Sequence, residues 1–504
     1  MTTDLSTPDH SPPVGTHPRR TAPSDRATKG GLFRAVWRWH FFASFLVVPV
    51  LLVLATTGLI YLLRFQIEPL LHADLMRVDV PSDTQAAATT KTYDTQLEAV
   101  RSAYPGATVE SLTEPGAADE PTRFTITTAD GGGRDVFVDP YDGRVLGSLN
   151  PETTLSGYAV RLHANLMAGR LGDTIMEIGA CWAIVMALTG YYLFVRGRRA
   201  RRRQARAARR GARLRTRHAT VGLVVGVGLL YLLVSGLPWT GFWGAQVQSL
   251  ATDRGSSLWS TDPGAVSDPT STLDESLPHS HTGTVPWGME DSEVPQSERT
   301  DDGSVANIET AVAVAGERGL RHPFTIALPS EDLADPGVYS VIGYAFDAPS
   351  DERTVHVDRY GGQVVSTYGF DDYPLLAKVV SHGIGLHEGR SWGLWSFWGA
   401  ALMCVAVMFM CVTGPLMWWR RRPRGSGRLG APRGRMPLRA TPALLVGFVA
   451  LGVFLPLFGL SLVVVLALDQ LVLRRVTENG RSDPGSRRRH RRRCRRSPPS
   501  ARVL

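Results

Sequence analysis

The chain has 504 residues, a formal net charge of +9, a sequence pI near 9.6 and a mean hydropathy of −0.05. That length admits several domains, and the near-zero hydropathy is the average of apolar runs of membrane length alternating with polar blocks. The basic excess sits in arginine blocks beside the apolar runs, the pattern of membrane anchors, so it does not argue for nucleic-acid binding.

In chain order, residues 1–31 form a polar arm rich in Pro, Ser and Thr, expected to be disordered and cytoplasmic. An apolar run at 41–63 lies within 32–66, read as the first transmembrane helix; it is too long and too poorly flanked for a cleavable signal. Residues 67–172 are expected to form a first extracytoplasmic domain, 173–196 a second transmembrane helix and 197–217 a cytoplasmic arginine-rich loop. A third transmembrane helix (218–244), an insert with a second extracytoplasmic domain (245–390) and a fourth transmembrane helix (391–419) follow. Runs of about twenty apolar residues cross a hydrocarbon core of about 30 Å. A second arginine-rich loop (420–441), a hydrophobic run (442–473) and an arginine-rich disordered tail (474–504) complete the chain.

Charge sets the topology. Segment 196–217 carries twelve arginines and no acid, and 420–439 carries eight and none. Segment 64–172 holds fifteen acids against nine basic residues, and 242–390 holds twenty-three against eight. The positive-inside rule then places the N-terminus and both arginine loops in the cytoplasm, as in a multi-pass protein of the cytoplasmic membrane. The run 442–473 is harder. A single crossing strands the twelve arginines of the tail outside, whereas folding back at Pro456 keeps them inside at the cost of short arms. A hairpin or re-entrant pair is the expectation, with a fifth span the alternative.

The sequence is also written twice. His40 and His218 each stand seventeen residues ahead of a small-residue/Gly pair, Thr57-Gly58 and Ser235-Gly236, each behind a basic lead-in. The returning helices carry Thr189-Gly190 and Thr413-Gly414, related by an offset of 224 that also superposes His163 on His387. Such pairs suit close helix approach in lipid, and packing is their expected role. Between the helices of each half, 136–145 and 355–364 alternate as hairpins around turns rich in Asp and Gly. Amphipathic stretches at 93–104 and 307–319 precede them. The expected fold is an α-helical multi-pass membrane protein: a duplicated four-helix core, a C-terminal hydrophobic helix or hairpin, and two small α+β domains outside.

Histidines carry the chemistry. His40 and His218 lie at equivalent depths on parallel helices, where unpaired ionisable rings are costly, so they are candidates to face each other across a metal. His163 and His387 are read at or beyond the outer interface, with Gly169 and Gly389 breaking the chain before the membrane; His382 is a rival for the outer position. His279 and His281 form a weak extra metal candidate in the insert. Glu177 is read either as a partner for an arginine or proton, or as a structural group. Asp139, Asp142 and Asp358 sit where turns want Asp. Trp37, Trp39, Trp239, Trp243, Trp392, Trp395, Trp398, Trp418 and Trp419 are read as interfacial belts. Cys181, Cys404 and Cys411 lie in apolar runs and Cys494 in the tail, so no disulfide framework is expected. No phosphate- or dinucleotide-binding motif occurs, which argues against a built-in nicotinamide or flavin domain.

Several of these segments together resemble the PepSY-associated transmembrane proteins, a family that includes iron-regulated membrane proteins and siderophore reductases. The carrying residues are Trp39-His40, Leu162-His163 before Gly169-Arg170, Gly236-Leu237-Pro238-Trp239-Thr240-Gly241-Phe242-Trp243-Gly244, and Gly385-Leu386-His387-Glu388-Gly389-Arg390, while the two hairpins look like PepSY endings. The resemblance covers roughly residues 32–475. It implies one or two haem b groups, held by His40 and His218 near the cytoplasmic face and by His163 and His387 near the outer face. It also implies electron transfer to a ferric siderophore or other iron chelate, with a quinol or a cytoplasmic reductase as a separate donor. The competing expectation is a non-catalytic PepSY membrane protein that binds or restrains an envelope peptidase or other partner. A transporter is disfavoured, because the apolar runs lack the charges and broken helices that transport sites use.

Overall fold

The computed structural model describes residues 25–82, 89–206, 211–244, 294–297, 305–330, 337–343, 348–373, 375–421 and 442–481. His279 and His281 lie outside the described residues, as do the N-terminal arm to residue 24 and the tail from residue 482.

Four helices are long and apolar enough to cross a membrane. The first is α1 (Asp25–Leu62), apolar from Leu32 onward. After it come two short helices, α2 (Arg64–Leu71) and α3 (Ala73–Met76). Then α4 (Tyr93–Ala103) leads into four strands: β1 (Thr108–Thr113), β2 (Thr122–Thr127), β3 (Gly133–Val138) and β4 (Val145–Leu149). Helix α5 (Leu155–Asn165) precedes the second long helix, α6 (Gly169–Arg206), and the third is α7 (Ala212–Ser235). The same order then recurs: α8 (Ile308–Glu317), β5 (Phe324–Ala327), β6 (Val338–Gly343), β7 (Arg353–Asp358), β8 (Val364–Gly369), α9 (Leu375–His387) and the fourth long helix, α10 (Leu394–Arg421).

The long helices pack in the cyclic order α1–α6–α7–α10. Their shared core includes Val47, Leu51 and Ala55 of α1, Trp182–Val185 of α6, Val225 and Leu233 of α7, and Val407 and Cys411 of α10. A Cβ on Gly179 of α6 would fall 2.8 Å from the methyls of Val50, so α1 and α6 approach as only glycine permits.

The strands form one antiparallel sheet of eight, in the order β4-β3-β2-β1-β5-β6-β7-β8. The sequence suggests two separate small domains; instead β1 pairs directly with β5, Leu112 opposite Ile326. The physical reason is that each four-stranded meander has two edge strands with an unpaired ladder, and joining β1 to β5 satisfies one edge of each, leaving β4 and β8 at the ends of the sheet. A single apolar cluster underlies the joint sheet, with Leu97 and Val100 of α4 beside Ile308, Ala311 and Ala315 of α8, all against Phe124, Ile126, Phe324, Ile326 and Val355. Asn307 donates to Asp94 at 2.8 Å, tying the two helices' N-termini together. In the hairpin turns Asp139 accepts from the Tyr141 amide at 2.9 Å and Asp358 from the Tyr360 amide at 3.1 Å, which is turn chemistry.

Residues 442–473 fall in a helical hairpin, α11 (Pro442–Phe454) and α12 (Pro456–Arg481), broken at Leu455. Proline at the first position of α12 lacks the amide hydrogen that continuation of α11 would need. The arms close on glycine: a Cβ on Gly452 would lie 3.2 Å from Gly459 Cα. Trp243 donates its indole hydrogen to the Phe454 carbonyl at 2.9 Å, fixing the tip near the sheet end of the bundle. Trp39 packs at a tilt against Phe448 at 5.5 Å, Trp182 meets Phe458 at 5.2 Å, and the Trp182 indole donates to Ser461 at 3.0 Å. Trp39 and Trp243, expected in lipid belts, therefore hold the hairpin. Trp392, Trp395 and Trp398 are exposed.

Candidate functional site

Each long helix carries a hydroxyl–glycine pair, and each pair seats one imidazole. His40, near the start of the apolar part of α1, places Nδ1 3.0 Å from Thr189 Oγ1 and 3.1 Å from the Met186 carbonyl of α6. Its Cε1 rests over Gly190, where a Cβ would come within 3.3 Å. His218 on α7 sits likewise on α10, Nδ1 2.9 Å from Thr413 Oγ1, with Gly414 beside Cε1. These two rings lie within electrostatic range of each other at the arginine-rich end of the bundle.

The other two sit at the sheet end. His163 of α5 places Nδ1 2.9 Å from Thr57 Oγ1 of α1, with Cε1 over Gly58. His387 of α9 places Nδ1 2.9 Å from Ser235 Oγ of α7, with Cε1 over Gly236. Their ring centres stand 6.5 Å apart with planes at 82°. Thr57 follows His40 by seventeen residues on one helix, so the two histidine layers are roughly 25 Å apart along the bundle.

Local sequence explains how α5 and α9 bring their rings inward. Thr154 caps α5, accepting from the Gly157 amide at 3.0 Å. The chain then reverses through Leu166, Met167 and Gly169, all at positive φ, so that α6 returns beside α5. In the second half Gly389 and Gly393 take the same left-handed backbone between α9 and α10. The breaks suggested by Gly169 and Gly389 are there, but the rings do not lie beyond the bundle: they fold back onto Thr57 and Ser235. Leu166 and Met167 carry side chains in a region that costs about 1–2 kcal/mol per residue, strain that the tertiary packing holds.

Buried glutamates brace these joints. Glu68 of α2 accepts from the Ser156 amide and hydroxyl at 2.7 and 2.6 Å. Glu352, just before β7, accepts from Ser381 of α9 at 2.9 Å and from Tyr373 at 3.4 Å. Burial pushes the Glu352 carboxyl up to about 7, opposed by the Arg390 guanidinium 3.7 Å away. Glu177 of α6 accepts from the Phe242 and Trp243 amides at 3.1 and 3.3 Å. It thereby holds the loop after α7 that sets Trp239 edge-on to His387 at 5.9 Å. That is the structural one of the two roles read for Glu177.

His382 is not brought to either layer; it is exposed and packs against Phe370 at 5.2 Å. Among the described residues there is no cluster of three or more His, Cys, Asp or Glu able to hold a metal ion, so each layer offers two imidazoles only. The role of the hydroxyl–glycine pairs as histidine seats was missed in the sequence. The available signal was that four such pairs accompany four helix-borne histidines.

Residues 37–421 match the family model described as PepSY-associated TM region, which spans all four histidines and all four seats. The chain belongs to the PepSY-associated transmembrane family. No curated protein matches it. Family membership and the four apolar helices make this a membrane protein.

Proposed function

We propose that the chain is a haem-binding electron-transfer protein of the cytoplasmic membrane that reduces a ferric siderophore or related iron chelate at its outer face. The observation that carries this reading is the two-layer histidine arrangement, one pair at each end of the bundle. Two imidazoles are too few for a tetrahedral protein-only site. They would suit a metal whose remaining positions come from a macrocycle, which one pair of histidines would hold. The spacing of the sheet-end pair agrees: ring centres 6.5 Å apart are close to the roughly 6 Å of two imidazoles sharing one metal through bonds of about 2.0–2.1 Å. The residues therefore fit haem b, His40 with His218 and His163 with His387. Haem held there would supply a one-electron couple.

Each half of the chain contributes one histidine to each layer, which is what a duplicated core requires. The arginine-rich end, read as cytoplasmic, faces the donor, a quinol or a cytoplasmic reductase. At the outer end one electron converts each ferric ion of the chelate to ferrous iron, which such chelators hold less tightly. Trp239 and the Glu177-anchored loop shield His387 on that side.

The test is a dithionite-reduced minus oxidised spectrum of the purified protein, expected to show a b-type signal. His40→Ala and His218→Ala should each remove the same haem. Protein made with ample haem and lacking any such signal would overturn the reading and leave the partner-binding PepSY alternative.

A further inference from the structure

The four seats share one geometry, and that geometry selects which ring nitrogen is free. In every seat Nδ1 faces a hydroxyl at 2.9–3.0 Å. Each hydroxyl has a carbonyl of its own helix to donate to: Thr57 faces Val53 O at 2.7 Å, Thr189 Met186 O at 2.9 Å, Thr413 Phe409 O at 2.8 Å and Ser235, at longer range, Leu232 O at 3.3 Å. A hydroxyl so spent presents only lone pairs to the ring. The backbone points the same way. The Met186 carbonyl, three residues before Thr189, lies 3.1 Å from His40 Nδ1. A carbonyl can only accept, so at His40 it is Nδ1 that carries the hydrogen. The glycine that follows each hydroxyl leaves room for the Cε1 edge of the ring; at Gly190 and Gly236 a Cβ would press to 3.3 Å on Cε1.

We propose that Thr57-Gly58, Thr189-Gly190, Ser235-Gly236 and Thr413-Gly414 are positioning residues that lock all four histidines as Nδ1–H tautomers, leaving each Nε2 as the metal-ligating atom. The inference rests on the haem reading for what Nε2 binds, but not for the tautomer itself. Hydrogen bonding at Nδ1–H also makes the imidazole a stronger donor through Nε2, so the seats hold the iron in its oxidised form more firmly and lower its potential. The arrangement is a reciprocal clasp. Helix α1 presents His40 to α6 and receives His163, and α7 presents His218 to α10 and receives His387.

Two measurements test it. In full-length protein labelled with ¹⁵N-histidine, the four rings should show protonated Nδ1 and bare Nε2. Nε2–H tautomers in the unsubstituted protein would overturn the proposal whether or not haem is bound. In haem-loaded protein, Thr189→Val and Thr413→Val should raise the midpoint potential of the arginine-end haem and weaken its retention about 10–100-fold. The sheet-end haem should hold its potential. Thr189→Ser keeps the hydroxyl and should keep the potential, which separates hydrogen bonding from helix packing. Equal potentials in the Val and Ser variants would overturn the tuning role. A protein with Nδ1–H rings but no haem would defeat the proposed function while leaving the tautomer assignment standing.

Discussion

His163 and His387 meet at the sheet end of the bundle with ring centres 6.5 Å apart and planes at 82°. They come from opposite halves of the chain, each borne on a short helix that reverses into a long one, and each rests on a hydroxyl of a different neighbouring helix. On the proposed function the two would share one metal, and their losses would then be equivalent. His163→Ala and His387→Ala should each remove the same haem signal and leave the one that depends on His40 and His218. Difference spectra of the single and double variants check this: the double variant should lose no more than either single one. His382→Ala should leave the haem content intact.

The seam of the sheet is a second point of prediction. Leu112 and Ile326 are fully buried and face each other across β1 and β5. Leu112→Ala and Ile326→Ala should each destabilise the sheet by about 2–5 kcal/mol. Because the residues touch the same cavity, the double variant should depart from additivity by about 0.5–3 kcal/mol. Strict additivity in denaturant titrations would speak against a shared core.

Glu352 supplies a pH dependence. Its folded value near 7 lies above the ordinary 4.5, burial being the main cause. The stability it contributes is complete below about pH 4.5 and is lost as pH rises through 7, where the carboxylate must ionise in a buried site. Glu352→Gln cannot ionise. The stability difference between variant and unsubstituted protein should therefore move in the variant's favour by about 3 kcal/mol between pH 4.5 and 8. Thermal melts across that range read it, and a flat difference would contradict it.

The C-terminal hairpin makes a prediction about sidedness. Its tip lies by Trp243, while Leu445 and Phe448 of one arm and Leu466 of the other lie by Trp39. In a Cys494→Ser background, Pro442→Cys and Glu478→Cys should both react with an impermeant thiol reagent from the arginine-rich face. Labelling of the two positions from opposite faces would show a single crossing instead.

Much of this was legible in the sequence because it depends on local composition. Apolar length and arginine blocks gave the four spans, alternation with Asp and Gly gave the hairpins, and equal spacing gave His40 and His218 matching depths. Three things were decided only by tertiary structure. Meanders expected as separate domains share one sheet, because an edge ladder in either is satisfied by the other, and no periodicity records which edges meet. His163 and His387 fold back to Thr57 and Ser235, because left-handed turns at Leu166, Met167 and Gly389 reverse the chain, and those turns answer to packing. The hydroxyl–glycine pairs read as helix contacts in sequence, since a short polar side chain beside glycine suits any close approach. Only when α1 meets α6 and α5, and α7 meets α10 and α9, does each hydroxyl find an imidazole nitrogen 2.9–3.0 Å away.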